Sequence, residues 1–251
     1  MEKRDKAIPK KGSWFSHISL EVPGENTGNE WLEPVSDEGC GNLQGRRCFS
    51  PMRLDGTEST LLNTERLVLR PFRMDDLDLI RQIYCDERVL KYSPFDTMSE
   101  SQAERHLEKI IRNWGQPPEF NHEMAVVVKE TELRIGRAHI EVDPKTDTGM
   151  IGCFLTPEHW GYGYATEIIH ALIDCCFDEL HLHRVNALCH PENRASWHMM
   201  EKCGMRREAH LRQKCRYVKG GMTRWEDELE YAILASERKA GSTTPVCAGL
   251  S

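Results

Sequence analysis

Residues 157–167 read Pro-Glu-His-Trp-Gly-Tyr-Gly-Tyr-Ala-Thr-Glu, and no other stretch of this 251-residue chain constrains its fold as much. An apolar, strand-like run (Met150 to Leu155) leads into them, and an amphipathic, helix-like run (Thr166 to Leu180) follows. A strand that turns into a helix through Gly161 and Gly163 gathers free backbone N–H groups at the positive end of a helix dipole. With no Cβ at either glycine, the backbone can come close to an anion. The geometry suits a phosphate or pyrophosphate.

The same alternation of signals runs through the rest of the chain from Asn63. Glu65 to Pro71 alternates like a strand. Met74 to Cys85 carries apolar residues at Leu77, Ile80 and Ile83/Tyr84 behind Asp75 and Asp76, the pattern of a capped amphipathic helix. Ser99 to Trp114 predicts a second helix, with Ser99 as N-cap and Gln102 as its capping-box partner. Met124 to Lys129 and Arg134 to Val142 read as paired strands, and Gly149 to Leu155 as a third, stopped by Thr156-Pro157. A helix over about Gly163 to Leu180 follows, then a strand (Arg184 to Cys189) and a short helix (Arg194 to Lys202). Two strands close the series, roughly Met205 to Gln213 and Trp225 to Leu234. The order β-α-α-β-β-β-α-β-α-β-β predicts a mixed α/β fold in which an antiparallel meander feeds a parallel crossover.

Residues 1–62 differ. Gly, Pro, Asn, Glu and Ser dominate, the aromatics stand alone, and neither helical nor strand periodicity persists, so a disordered N-terminal extension is expected. Residues 237–251 read as a flexible tail, which leaves one domain over 63–236. The formal charge of −7 argues against a nucleic-acid coat but permits a local basic pocket. No run approaches the ~20 apolar residues a membrane helix requires, and no apolar segment follows the charged first residues as in a signal peptide. The ten cysteines show no CxxC spacing and several fall at apolar positions of periodic segments, as expected of reduced thiols in the cytoplasm. Eleven histidines without HExxH or paired-cysteine spacing give no metal site.

Four features together make residues 65–235 resemble a GCN5-related N-acetyltransferase of the Rim-type branch, which acetylates protein N-termini. They are Glu65-Arg-Leu-Val-Leu-Arg-Pro71; Ile151-Gly152 with the 157–167 loop; Pro191-Glu-Asn-Arg-Ala-Ser196 with Glu201-Lys-Cys-Gly-Met205; and the closing strand with Asp227 and Tyr231. The resemblance implies a central mixed, mostly antiparallel sheet with helices on both faces, acetyl-CoA as cosubstrate, no metal, and direct transfer to an amine without a covalent enzyme intermediate. It implies a phosphate loop of Trp160, Gly161, Tyr162, Gly163, Tyr164 and Ala165, with Thr166 behind it. Trp160 stands where the family usually has Arg or Gln. It further implies pantetheine pairing along Phe154 and Leu155 and a cofactor contact from Asn193. Arg194, beside Asn193, could meet a CoA phosphate.

The chemistry narrows the acceptor. Attack needs a neutral amine. At pH 7 deprotonation costs an α-amine (pKa near 8) about 1.4 kcal/mol and a lysine-like amine about 4.6. A site without a strong base suits an α-amine. Leu188 and Met200 replace a glutamate and a tyrosine that other family members use. His139 and Glu141, on one face of one strand, are the candidate bases, with Asp227 as a further one. Ser196 is the candidate donor to the departing thiolate. The expected function is N-acetylation of a protein or peptide α-amine. The alternatives are a small-molecule amine (antibiotic, polyamine or amino acid) or a non-catalytic acyl-CoA-binding module. Expected partners are acetyl-CoA and the amine, not nucleic acid or membrane, with the chain a monomer or homodimer. Rossmann dinucleotide binding fails on context: the loop lacks the full GxGxxG and does not open the domain.

Overall fold

The structure, a computed structural model, describes residues 62–114 and 121–238. The expected N-terminal extension and C-terminal tail lie outside these residues apart from their inner edges. So do Cys40, Cys48 and Cys247.

Two short strands open the described chain, β1 (Leu62–Asn63) and β2 (Leu67–Pro71). A 3-10 turn (Met74–Asp76) then leads into α1 (Leu77–Tyr84). The two carboxylates at this start do different things. Asp76 is fully buried and takes a two-point ion pair from Arg70 at 2.7 and 2.8 Å, and its Oδ2 also accepts the Arg73 amide. Asp75 stays exposed. The next helix, α2 (Glu100–Arg112), carries the expected box: Ser99 N–H donates to Gln102 Oε1, and Gln102 N–H to Ser99 Oγ.

The meander follows as β3 (Asn121–Val128), β4 (Arg134–Asp143) and β5 (Thr148–Leu155), all antiparallel. From β5 the chain crosses over through α3 (Tyr164–Asp174) to β6 (Arg184–Cys189), which lies parallel to β5. Next come α4 (Arg194–Lys202) and a long hairpin, β7 (Arg206–Lys219) and β8 (Met222–Leu234). The eight-stranded sheet runs β1-β2-β3-β4-β5-β6-β8-β7, mixed and mostly antiparallel.

Alternation along the strands assigns the two faces. Ala138, Ile140 and Val142 of β4 join Ile168, Ile169 and Leu172 of α3 in the main apolar core. The intervening Arg137, His139 and Glu141 lie on the opposite face, toward α1 and α2. Among the described residues, Cys175, Cys176, Cys189, Cys203 and Cys215 are buried, Cys153 is half-buried and Cys85 exposed.

Two expected boundaries move. The helix after the glycine loop is α-helical only to Asp174. The next turn widens to a π-turn over Cys175–Glu179, where the Leu180 amide reaches the carbonyl of Cys175. The last two strands are longer than expected, meeting at a Gly220-Gly221 turn. Polar Arg212-Gln213-Lys214 breaks the alternation there. The cause is a bulge between Leu211 and Cys215, with Gln213 at φ 46°.

Candidate functional site

The loop between β5 and α3 has the geometry its glycines suggested. Gly161 and Gly163 sit at φ 82° and 80°, a region that disfavours side chains, and Gly163 is the N-cap of α3. Among the described residues, no hydrogen bond engages the amides of residues 161–166. Six N–H groups are therefore available at one helix N-terminus.

Side chains brace the loop from below. Thr156 Oγ1 meets His159 Nδ1 at 2.8 Å, and the Trp160 indole N–H donates to the Leu155 carbonyl at 2.8 Å. That bond locks the loop to the end of β5, which explains how tryptophan serves where a cation is usual: the ring is a brace. Tyr162 is exposed and stacks on Tyr164 at 5.8 Å, while Tyr164 rests on the core. The strongest brace is a residue that sequence reasoning gave no role. Arg66 donates through Nη1 to the Tyr162 carbonyl at 2.9 Å and through Nε to Glu167 at 2.7 Å, and its guanidinium lies over the Tyr164 ring. Glu167 also accepts from Thr64 Oγ1 and the Arg66 amide. Burial opposes its charge, but these donors hold its carboxyl below the usual range.

β5 and β6 pair with each other only over Thr148–Met150 and Arg184–Asn186. Beyond that they part, and residues 151–155 and 187–189 face each other without pairing. Unpaired strand edges carry free backbone donors and acceptors, which an extended chain containing amides can fill. Phe154 and Leu155 lie on this open stretch, directly before the glycine loop.

α4 borders the other side of the opening. Asn193 is its N-cap, and its Oδ1 accepts the Ser196 amide at 3.2 Å. Ser196 is half-buried, its hydroxyl within hydrogen-bonding reach of the Cys189 thiol, whose pKa burial pushes up to about 12. Arg194 is exposed at the first helical position. Met200 is a core residue, 1% exposed, so its position is filled by packing. Asp227 is tied to His210 Nε2 at 2.7 Å and to the Gln213 amide, anchoring the hairpin bulge.

His139 and Glu141 share a face as expected, and His139 belongs to a larger cluster that sequence reasoning missed. Under α1 and α2, Glu123 of β3 holds Arg137 of β4 in a short, buried ion pair through Arg137 Nε. Arg137 lies over Tyr84 of α1 and Phe154 of β5, at 5.8 and 5.7 Å from the ring centroids. His106 of α2 meets Tyr84 edge to face at 4.6 Å. His139 pairs across the sheet with Glu123 on one side and Gly152 on the other. Its ring covers Gly152 so closely that a Cβ there would stand 2.5 Å from His139 Cε1. Burial and, second, the Arg137 charge lower His139 to about 3. Burial lowers His106 to about 4. Glu123 stays below the usual carboxylate range because Arg137 outweighs its burial. The sequence carried little signal for this cluster: Arg137, His139 and Glu141 alternate along β4 as polar residues of a solvated face do.

Among the described residues, no group of three His, Cys, Asp or Glu side chains could hold a metal ion, and no helix is long and apolar enough to cross a membrane.

Comparison with known proteins agrees with this geometry. Residues 66–206 match the acetyltransferase (GNAT) domain family. The uncharacterised N-acetyltransferase YnaD of Bacillus subtilis is 34% identical over 176 residues, covering 70% of this chain and 98% of its own. The spermidine N(1)-acetyltransferase of Vibrio cholerae is 27% identical, covering 68% of this chain and 95% of its own. Among solved structures, Mycobacterium smegmatis RimJ in complex with CoA-disulfide superposes with a TM-score of 0.62 at 22% identity, over 71% of this chain and 89% of that one, a likeness of fold.

Proposed function

We propose that this chain, which belongs to the GNAT acetyltransferase family and is an N-acetyltransferase, moves the acetyl group of acetyl-CoA directly onto the α-amine of a peptide or protein. The cosubstrate supplies an activated thioester. The chain fits it: the six open amides of residues 161–166 suit the diphosphate, and the unpaired edge at Phe154 and Leu155 suits the amide-bearing arm. Asn193 and Arg194 flank that opening, and Arg194 would add a cation near the phosphates.

The observation that carries the choice of acceptor is the weakness of the bases. The imidazoles next to the opening are held at about 3 and about 4. The Glu123 carboxylate is committed to Arg137. Neither group draws a proton strongly from an alkylammonium of pKa near 10, whereas an α-amine is already neutral in about one molecule in ten at pH 7. His139 and Glu141 then serve to pass a proton outward, directly or through water, after the amine nitrogen has bonded to the acetyl carbon. As the C–S bond breaks, the Ser196 hydroxyl donates to the thiolate.

A polyamine acceptor is the second reading. It is favoured by the spermidine acetyltransferase relative and by Glu226, Glu228 and Glu230, which repeat along one face of β8. A peptide library and spermidine, each incubated with acetyl-CoA and followed by mass spectrometry and thiol release, separate the two. Acetyl groups on peptide N-termini, with kcat/KM above that for spermidine, are expected. Faster turnover of spermidine would reverse the order, and no thiol release with either acceptor would end both readings.

A further inference from the structure

The polar cluster under α1 and α2 is incompletely satisfied. Arg137 uses only Nε on Glu123; among the described residues its two terminal nitrogens take no hydrogen bond. Its side chain keeps 10% exposure, so the guanidinium is neither sealed in nor solvated. Around it, Tyr84 Oη, His106 Nε2 and His139 Nδ1 are all buried without a hydrogen-bond partner. Buried polar atoms rarely lack partners, and a desolvated guanidinium with spare donors is costly. A cluster with spare donors beside a ligand opening is matched to an oxygen acceptor that arrives with the ligand. Phe154 ties the two places together: its ring lies against Arg137, and its backbone belongs to the open stretch of β5.

We propose that Arg137, aimed by Glu123, is a specificity residue whose free guanidinium donors bind the carbonyl oxygen of the acceptor's first residue. This rests on the α-amine reading above and sharpens it, because a polyamine has no such oxygen. Glu123 sets the direction of the fork, and the rings of Tyr84 and Phe154 confine it between them. Tyr84 Oη and the neutral imidazoles of His106 and His139 complete a polar lining that a peptide bond can enter without stranding its own groups.

The test compares a tripeptide acceptor with its analogue in which a trans alkene replaces the first peptide bond. The primary amine and the shape are kept and the carbonyl oxygen is lost; because that loss also makes the amine more basic, kcat/KM is expressed per neutral amine. The wild type is expected to prefer the peptide by about 10- to 100-fold in kcat/KM, mainly through KM, as befits a hydrogen bond to a charged donor. In Arg137→Gln the preference falls to within about 3-fold. Because that variant strands the Glu123 carboxylate and could unfold, the charge-neutral pair Arg137→Met with Glu123→Gln is measured beside it, with circular dichroism to confirm folding. A purely structural role would slow both acceptors equally and leave their ratio intact. Equal use of peptide and alkene by the wild type, or a ratio unchanged in the folded double variant, overturns the proposal while the α-amine reading stands. Acetylation of spermidine but of no α-amine overturns both.

Discussion

At the scale of single residues, the site divides into backbone geometry and side-chain chemistry, and substitutions separate them. Gly163 stands at φ 80°, and a Cβ there would meet only Arg66 Nη2, at 3.6 Å. The cost of a side chain is therefore mostly backbone strain, about 1–2 kcal/mol. The space it would fill is that of the anion. Gly163→Glu is expected to abolish acetyl-CoA binding in calorimetry while lowering stability by no more than a few kcal/mol, and heat of binding at the wild-type level would show that the loop is not the phosphate cradle. Ser196 tests the chemistry. Its backbone amide, not its hydroxyl, serves the Asn193 cap, so alanine leaves the helix start intact. Ser196→Ala should lower kcat by roughly 10-fold or more with acetyl-CoA affinity nearly unchanged. Unaltered turnover would remove the proton-donor role.

At the scale of elements, a buried carboxylate ties β2 and β4 to the start of the first helix. Arg70 of β2 and Arg134 of β4 both reach the fully buried Asp76 at the start of α1, at 2.7 and 3.2 Å. Burial opposes the charge of Asp76, yet the Arg70 and Arg73 donors hold its carboxyl below the usual range. Removing one partner of such a pair leaves a buried charge, so Asp76→Ala should cost about 3–5 kcal/mol. Urea unfolding would register this as a lower midpoint at constant slope; a loss below about 1 kcal/mol would mean that the pair is surface-like. The same junction shows what was legible in the chain. The strand–glycine–helix unit and the Ser99 box could be read because each is decided within a few residues by backbone geometry. Asp76 was readable as a capping residue, but not as the partner of arginines on two strands, since that pairing depends on the sheet. The Glu123–Arg137–His139 face was opaque for the same reason. On β3 and β4 alone its alternation is that of a solvated face, and only the cover of α1 and α2, attached through a distant part of the sequence, turns it into an interior.

At the scale of the whole molecule, that interior couples stability to pH in a window set by imidazoles. His106 and His139 are lowered from about 6.5 to about 4 and about 3 by their enclosure. Below pH 6.5 the unfolded chain binds a proton at each of these positions that the folded chain refuses, so protonation favours unfolding. Their stabilising contribution is complete above 6.5 and is lost as the pH falls toward their folded values. Asp76, Glu123 and Glu167 have depressed carboxyls and act in the same direction, but only below about pH 4, where the unfolded carboxylates begin to protonate. Acid sensitivity should thus begin about two pH units above the carboxylate range. Each histidine adds about 1.4 kcal/mol per pH unit between roughly pH 6 and 4.5. Glutamine at either position cannot titrate, so the unfolding free energies of wild type and His139→Gln, measured by urea at half-unit steps from pH 7.5 to 4.5, should converge as the pH falls. A difference that stays constant over that range would mean that His139 is solvated and titrates normally, and that the face under α1 and α2 is wetter than its packing implies.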